Sequence, residues 1–178
     1  MKLSVVIPVF NEGLPLVLLC ERIESEIKKS KSLSDFEIIL VDDHSKDNSW
    51  DVIVGICKKN LKVKGVKFIR NFGQHSALTA GLSFAKGDFV LMMDCDGQDN
   101  PKYIEALLDR LIDTESSIVF ARRKERKSPL SSVFFSWLIN MIMTRLSGFY
   151  HDKSIGTFRL MRQKVVQDYW LCLRRKDI

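Results

Sequence analysis

Short apolar runs alternate with longer amphipathic stretches along the first 120 residues of this 178-residue chain. The short runs are rich in β-branched and aromatic residues and end at polar positions, which is typical of buried strands. The longer stretches carry apolar residues three and four positions apart, as in helices packed on a sheet. We predict strands over residues 2–9, 36–41, 66–69, 88–93 and 117–121. We predict helices over residues 14–29, 50–59, 76–85 and 101–112.

This one-by-one alternation favours the α/β class, with a mostly parallel central sheet and helices on both of its faces. In such sheets, ligands bind beyond the carboxyl ends of the strands. The loops after the first, second and fourth predicted strands carry acidic residues, and those after the third and fifth carry basic ones. We therefore expect the functional site at this edge of the sheet.

The loop after the fourth predicted strand contains two carboxylates separated by one residue, Asp94 and Asp96. Carboxylates in this arrangement can share a hard divalent cation such as Mg²⁺ or Mn²⁺, with a diphosphate supplying further oxygen ligands. Such a cation also neutralises charge on a departing diphosphate. An isolated Asp-x-Asp is common in loops, but its place after a buried strand and before Gly97 and Gln98 strengthens the interpretation.

A second acidic cluster, Asp42 and Asp43, follows the second predicted strand. A carboxylate at a strand tip can accept a hydrogen bond from a nucleobase N–H or a ribose hydroxyl. The alternative is a helix cap, which suits Asp47 or Asn48 better because they directly precede the second helix. Nearby histidines are interpreted as loop residues, since none has a second metal ligand at helical spacing.

The net charge of +6 is concentrated in the second part of the chain, because residues 1–100 carry −1 and residues 101–178 carry +7. Residues 122–127 hold five positive charges in six positions and precede the apolar stretch 133–146. One interpretation is an interfacial helix with a basic approach to an anionic lipid surface. A buried helix closing the domain and a solvated basic face are the alternatives. Nucleic acid, an anionic head group and a phosphorylated substrate all remain open as partners at this point.

Several classes of protein lack support. The chain has no G-x-G-x-x-G after the first strand, no P-loop and no G-x-S-x-G, so dinucleotide oxidoreductases, P-loop enzymes and α/β-hydrolases are disfavoured. The four cysteines are dispersed, which argues against a disulfide framework or a zinc site. The initial apolar run is too short for a signal peptide, and no run approaches the roughly 18 to 20 apolar residues that span a bilayer. We expect a cytoplasmic domain.

Four motifs together resemble a known family. Residues 5–12 (VVIPVFNE), 41–47 (VDDHSKD) and 94–98 (DCDGQ) are similar to the family 2 glycosyltransferases, which have the GT-A fold and a Rossmann-like nucleotide-sugar site. Residues 70–81 (RNFGQHSALTAG) narrow the resemblance to the polyprenyl-phosphate branch, which includes dolichol-phosphate mannose synthase and the undecaprenyl-phosphate aminoarabinose and glucose transferases. The resemblance covers nearly the whole chain.

The resemblance implies a set of site residues. Asp94 and Asp96 would hold Mg²⁺ or Mn²⁺ and the donor diphosphate. The basic loop resembles a G-x-R-x-x-R motif, so that Arg123 and Arg126 would bind the acceptor phosphate and join the two aspartates as catalytic residues. Arg159 lies in a later signature near the acceptor. The nucleotide-sugar site would comprise Pro8, Asn11, Glu12, Asp42, Asp94 and Gln98.

The resemblance also implies the reaction. A sugar would pass, with inversion, from a UDP- or GDP-linked donor to a polyprenyl phosphate. A phosphate nucleophile is already anionic near neutral pH and needs no general base. The enzyme would act peripherally at the inner face of a membrane, without nucleic acid, and the resemblance allows a homo-oligomer.

The chain departs from the family pattern in three places. Ala121 stands where glycine is usual, and Thr157 stands where some relatives have an acidic residue. Relatives continue beyond the position of Ile178, so we expect a truncated form of a longer, membrane-anchored protein. Within a single domain over 1–178, residues 1–121 would form the nucleotide-sugar and metal half. Residues 122–178 would form the acceptor half, which faces the membrane.

Other functions remain open from the sequence. A family 2 glycosyltransferase with a hydroxyl acceptor would need a base, for which Asp152 or a residue beyond Ile178 is the candidate. A metal-dependent nucleotidyltransferase would need a Gly-rich basic loop after the first strand, which residues 10–13 (FNEG) do not provide. A non-catalytic nucleotide-binding module would leave Asp94 and Asp96 without a role.

Overall fold

The computed structural model describes residues 1–122 and 155–174 of the chain. Within these ranges, five α-helices and one 3₁₀ turn, Pro101–Tyr103, accompany six strands. The strands are β1 Lys2–Val9, β2 Asp35–Asp42, β3 Val63–Lys67, β4 Phe89–Met92, β5 Ile118–Arg122 and β6 Ile155–Arg162. The helices are α1 Gly13–Lys29, α2 Ser49–Lys59, α3 Gln74–Phe84, α4 Ile104–Asp113 and α5 Gln163–Arg174.

The strands form one sheet in the order β3-β2-β1-β4-β6-β5. β1 pairs in parallel with both β2 and β4, and β2 pairs in parallel with β3. β6 is antiparallel to β4. The α/β class and the mostly parallel sheet predicted from the sequence are therefore confirmed.

β1 and β2 are interior strands of the sheet, and all but the first residue of each strand are buried. Strands covered on both faces have continuous apolar runs rather than alternating ones, which is why these two were readable from the sequence. Their register pairs Val9 with Asp42, so both strands end at the same level. β4 lies on the other side of β1 and pairs Met92 with Val6, which places the loop after β4 beside the end of β1.

Helix α3 packs very closely against this central layer. Gly81 is buried in α3, and a Cβ atom built on it would lie only 2.3 Å from Val6 Cγ1 and 3.2 Å from Val41 Cγ2. The missing side chain therefore sets the distance between the helix and the sheet.

The structure corrects some of the predicted element boundaries. β3 begins at Val63, three residues before the start of the predicted strand, and ends at Lys67. β3 is an edge strand with mostly exposed side chains, so its apolar pattern is weak. Phe68 lies just after the strand, and its N–H donates to Asp42 O. The first three residues of the predicted fourth helix form the 3₁₀ turn, and α4 begins at Ile104. β6 and α5 were not predicted.

Tertiary contacts group Met1–Phe120 with Thr157–Ile178 as one compact unit and Ala121–Gly156 as a second. Most of the second unit, including the basic residues 123–127, the apolar stretch 133–146 and Asp152, lies outside the described residues. Within residues 1–122 and 155–174, none of the helices combines the length and apolar character needed to cross a bilayer.

Candidate functional site

A cleft of about 420 Å³ opens where the carboxyl ends of the parallel strands meet. It is the position at which α/β sheets bind ligands. The loops after β1, β2, β3 and β4 each contribute to it. The lining residues are Pro8, Val9, Phe10, Asp43, Asn71, Gly73, Gln74, Asp94, Cys95 and Asp96.

The loop after β4 brings both predicted metal ligands, Asp94 and Asp96, into the cleft. The loop is held from within, because Asp94 N–H donates to the buried carboxylate of Asp99 at 2.8 Å. Asp96 Oδ1 accepts from Gln98 N–H at 2.9 Å across a turn at Gly97, where a φ of 77° suits glycine. Asp94 is half-buried and Asp96 is exposed, so the loop presents carboxylate oxygens to the cleft.

These two carboxylates fit a divalent cation that is shared with a diphosphate. Hard cations take several oxygen ligands. No group of three His, Cys, Asp or Glu that could hold a metal exists among residues 1–122 and 155–174. A cation between Asp94 and Asp96 would take its other ligands from further oxygens, such as those of water or of a bound diphosphate.

Cys95 lies between the two aspartates and lines the same cleft. Burial, helped by the nearby Glu12, Asp94 and Asp96 carboxylates, raises the pKa of the Cys95 thiol to about 12. Its buried side chain forms part of the wall of the cleft.

Asp42 and Asp43 have different surroundings although they are adjacent. Asp42 is fully buried; its Oδ1 accepts from Ser45 N–H at 3.1 Å, and its Oδ2 has no hydrogen-bond partner among the described residues. Asp43 is 3% exposed and accepts from two consecutive backbone groups, Phe72 N–H at 2.7 Å and Gly73 N–H at 2.9 Å. Asp43, rather than the predicted Asp42, is the one that lines the cleft, whereas Asp42 is fully buried and is not among the lining residues.

The loop after β3 joins the cleft through Gln74, the first residue of α3. Its Nε2 donates to Asp94 Oδ1 at 2.6 Å. Gln74 was not assigned a role from the sequence, and Asp43 was named only as a member of the Asp42–Asp43 cluster. Each acts across 20 or more residues of chain, and the only local signal was their place in a strand-end loop.

The remaining predicted nucleotide residues are Pro8, Asn11, Glu12 and Gln98, of which the last three are not among the residues that line the cleft. Pro8 lines it. Asn11, with a φ of 56°, accepts from Lys46 N–H through its Oδ1 at 2.8 Å, and Glu12 N–H donates to Ser49 Oγ at 3.0 Å. These contacts tie the loop after β1 to the loop after β2. Gln98 is exposed at the rim of the Asp94–Asp96 loop.

Of the predicted acceptor residues, only Arg159 lies in the described part of the chain, and it is not at this cleft. Arg123 and Arg126 lie outside the described residues. Arg159 is on β6, with its guanidinium carbon 5.7 Å from the centre of the Phe120 ring, and it does not line the cleft. Their assignment to the acceptor stays a prediction.

Of the two residues predicted to cap α2, Asp47 makes hydrogen bonds to the start of the helix and Asn48 does not. Asn48 precedes the helix without a side-chain capping bond. Asp47 accepts from Ser49 N–H at 3.0 Å and from the Ser49 hydroxyl. The hydroxyl bond lowers the pKa of the Asp47 carboxyl. Asp47 therefore has a structural role, and the functional interpretation of this loop rests on Asp42 and Asp43.

The structure resembles solved proteins that share its fold. It aligns with a mannosyltransferase from Pyrobaculum calidifontis, solved with GDP-Man and Mn²⁺, at a TM-score of 0.65 and 16% identity. That alignment covers 94% of this chain and 46% of the other. It aligns with S. aureus TarS 1–349 in complex with UDP-GlcNAc at a TM-score of 0.63 and 23% identity, covering 95% and 47% of the two chains. These likenesses confirm the predicted GT-A fold.

Sequence comparison identifies relatives over the same range. An undecaprenyl-phosphate 4-deoxy-4-formamido-L-arabinose transferase of Serratia proteamaculans is 35% identical over 179 residues, covering 98% of this chain and 53% of the relative. An uncharacterized glycosyltransferase of Synechocystis is 32% identical over 165 residues, covering 93% and 51%. The chain thus spans about half the length of these relatives. The profile described as glycosyl transferase family 2 matches residues 4–170, and the chain therefore belongs to this family.

Proposed function

We propose that the chain is the catalytic part of an inverting enzyme that transfers a sugar from a nucleoside-diphosphate donor to a polyprenyl phosphate. The observation that carries the donor half is the cleft at the carboxyl edge of the sheet, lined by Asp94 and Asp96. The acceptor half is supported by the similarity to undecaprenyl-phosphate transferases, which extends over 98% of this chain.

At the donor, Asp94 and Asp96 would hold Mg²⁺ or Mn²⁺ together with the diphosphate oxygens. When bound, the cation stabilises the negative charge that develops on the departing diphosphate. Pro8, Asn11, Glu12 and Gln98 would surround the nucleotide. Solved proteins of the same fold, bound to GDP-Man with Mn²⁺ or to UDP-GlcNAc, support this donor class without choosing between UDP and GDP.

The nucleoside itself would be recognised by Asp42. Its buried Oδ2 lacks a partner among the described residues, and such an acceptor costs about 1–3 kcal/mol unless something donates to it. A base N–H or a ribose hydroxyl would supply that donor.

At the acceptor, an oxygen of the lipid phosphate attacks the anomeric carbon. A new carbon–oxygen bond forms on one face of the sugar while the bond to the nucleoside diphosphate breaks on the other, so the configuration inverts. No proton must be removed from an ionised phosphate, and the protein contributes mainly orientation and charge stabilisation. Arg123 and Arg126 would hold the attacking phosphate with charge-assisted hydrogen bonds, with Arg159 nearby.

The donor half is tested by calorimetry with UDP and with GDP, each in Mn²⁺ and in EDTA. We expect at least one nucleotide to bind much more tightly with the metal. Asp96→Asn should lose that gain. Asp109→Asn, which changes an exposed carboxylate on α4, should keep it. Equal affinity in Mn²⁺ and EDTA would contradict the metal-dependent donor site.

The acceptor half is tested by transfer to a polyprenyl phosphate. Replacing Arg123 and Arg126 together by Ala should abolish transfer and leave nucleotide affinity unchanged, because the donor cleft is built from other loops. The matched control removes two exposed positive charges from α2, Lys58 and Lys59. Retained transfer in the Arg123/Arg126 variant would reject the assignment and favour a hydroxyl acceptor.

Membrane association is tested separately with vesicles containing anionic lipid. Each basic residue near such a surface contributes about 1 kcal/mol, and salt screens this attraction. We expect the chain to float with the vesicles at low salt and to be released at high salt. An apolar stretch 133–146 that serves only as a core helix predicts no flotation at any salt concentration.

A further inference from the structure

The side chain of Gln74 contacts a carboxylate of the donor cleft directly. Gln74 is the first residue of α3 and lines the cleft, and its Nε2 lies 2.6 Å from Asp94 Oδ1. An ionised carboxylate can only accept hydrogen bonds, so the amide must turn its NH₂ group toward Asp94. A charge-assisted bond of this length is among the stronger kinds in proteins.

The backbone before Gln74 is fixed by Asp43. Both oxygens of this buried carboxylate are occupied, by Phe72 N–H and by Gly73 N–H. Gly73 has a φ of 89°, a conformation that favours glycine, and its carbonyl accepts from Ser76 N–H and Ala77 N–H to begin the helix. Gln74 therefore starts from a rigid position, and only its side-chain torsions remain to be fixed by the bond to Asp94.

We propose that Gln74 is a positioning residue, which orients the Asp94 carboxylate for the divalent cation shared with the donor diphosphate. Groups that hydrogen-bond to metal ligands fix the orientation of those ligands, and their loss costs about 10- to 100-fold in metal affinity. Asp43 supports this role at one remove, because it holds the loop from which Gln74 projects. The proposal rests on the proposed donor function.

The test separates metal affinity from nucleotide affinity. Gln74→Met keeps the length of the side chain and removes its donor, and Gln74→Ala is a second variant at the same exposed position. Mn²⁺ affinity is measured by electron paramagnetic resonance with saturating UDP or GDP, whichever the wild-type chain binds. Nucleotide affinity is measured by calorimetry in EDTA, and melting temperatures check the fold. His75→Ala is the control, since His75 is the exposed neighbour in the same turn.

We expect both Gln74 variants to lose at least about tenfold in Mn²⁺ affinity while their nucleotide affinity in EDTA stays within about twofold of wild type. His75→Ala should match wild type in both measurements. In an Asp94→Asn background, Gln74→Met should cause little further loss, because the two residues act through one contact.

Each other outcome contradicts the proposal in a distinct way. Unchanged Mn²⁺ affinity in both Gln74 variants would overturn the positioning role and leave the donor site standing. An equal loss in EDTA would mean that Gln74 contacts the nucleotide or shapes the cleft. Additive losses with Asp94→Asn would mean that the two residues act independently. Metal-independent nucleotide binding by the wild-type chain would overturn this inference and the proposed metal site together.

Discussion

Replacing Asp42 and Asp43 one at a time by Asn should change the free energy of unfolding in opposite directions. Both carboxylates are buried, but Asp42 has an oxygen without a described partner, whereas both oxygens of Asp43 accept backbone hydrogen bonds. A buried charge with one hydrogen bond is unfavourable in the free protein. Hydrogen bonds to a charged group stabilise a protein by about 1.5–3 kcal/mol. The Asp42 carboxylate thus lowers the stability of the free protein, and the Asp43 carboxylate raises it.

Asp42→Asn keeps the oxygen that accepts from Ser45 and replaces the unpaired charged oxygen with a neutral NH₂ group. Removing a buried charge should raise the free energy of unfolding by about 1 kcal/mol. If Oδ2 accepts from the nucleoside, the same change leaves two donors facing each other. Nucleotide affinity in Mn²⁺ should then fall about tenfold, which corresponds to 1.4 kcal/mol.

Asp43→Asn should destabilise the chain, because its NH₂ group would face the Phe72 or Gly73 N–H in place of an acceptor. The expected loss is about 2 kcal/mol in the free energy of unfolding. When both variants are measured in EDTA, nucleotide affinity should fall less for Asp43→Asn than for Asp42→Asn. The distinction matters because Asp43 lines the cleft and would otherwise look like the better candidate.

Urea denaturation followed by circular dichroism gives the two stabilities, and calorimetry gives the affinities. A stabilised Asp42→Asn variant with weak nucleotide binding, beside a destabilised Asp43→Asn variant, is the expected pair. Refutation would come from the reverse pattern: Asp42→Asn binding like wild type while Asp43→Asn loses affinity without losing stability. Asp43 would then be the residue that reads the nucleoside.

Two further predictions concern stability. Burial would raise the pKa of Glu37, but the Lys64 bond and two others hold it below its ordinary value. The ionised Glu37 carboxylate should therefore stabilise the fold above about pH 4.3, and this stabilisation should be lost at lower pH. In urea titrations, the free energy of unfolding of Glu37→Gln should fall less on acidification than that of the wild type. Gly81→Ala should cost about 1–3 kcal/mol by forcing a Cβ against Val6. Gly55→Ala, with open space around its Cβ, should gain about 0.5–1 kcal/mol in the same assay.

The parallel frame of the fold could be predicted because its evidence is local. β1 and β2 are nearly continuous apolar runs, and such a run is enough to identify a strand that is covered on both faces. β6 was missed because its pattern includes Arg159 and Arg162, which look unsuited to a sheet. The Arg162 guanidinium is satisfied by the carbonyls of Ser116 and Leu111, more than 40 residues away in sequence. Such distant partners leave no signal in a local pattern.

The same limit applies to the site. Asp94 and Asp96 were found because a cation needs closely spaced carboxylates, and one residue of separation supplies them in a single loop. Gln74 and Asp43 act through contacts between loops that follow different strands. The sequence places those loops at one edge of the sheet, but it does not say which side chain of one loop reaches which group of another.

Helix α3 links the packing of the core to the geometry of the cleft. Gln74 begins the helix, and Gly81 lies two turns later on the side that faces β1. A methyl group at position 81 would lie only 2.3 Å from Val6 Cγ1, so it would have to push the helix away from the sheet or displace Val6. A shift of the whole helix would carry Gln74 with it and lengthen a hydrogen bond that is only 2.6 Å long. The close approach at Gly81 therefore stabilises the core and also holds Gln74 within reach of Asp94, so a packing defect at Gly81 should weaken Mn²⁺ binding as well as stability.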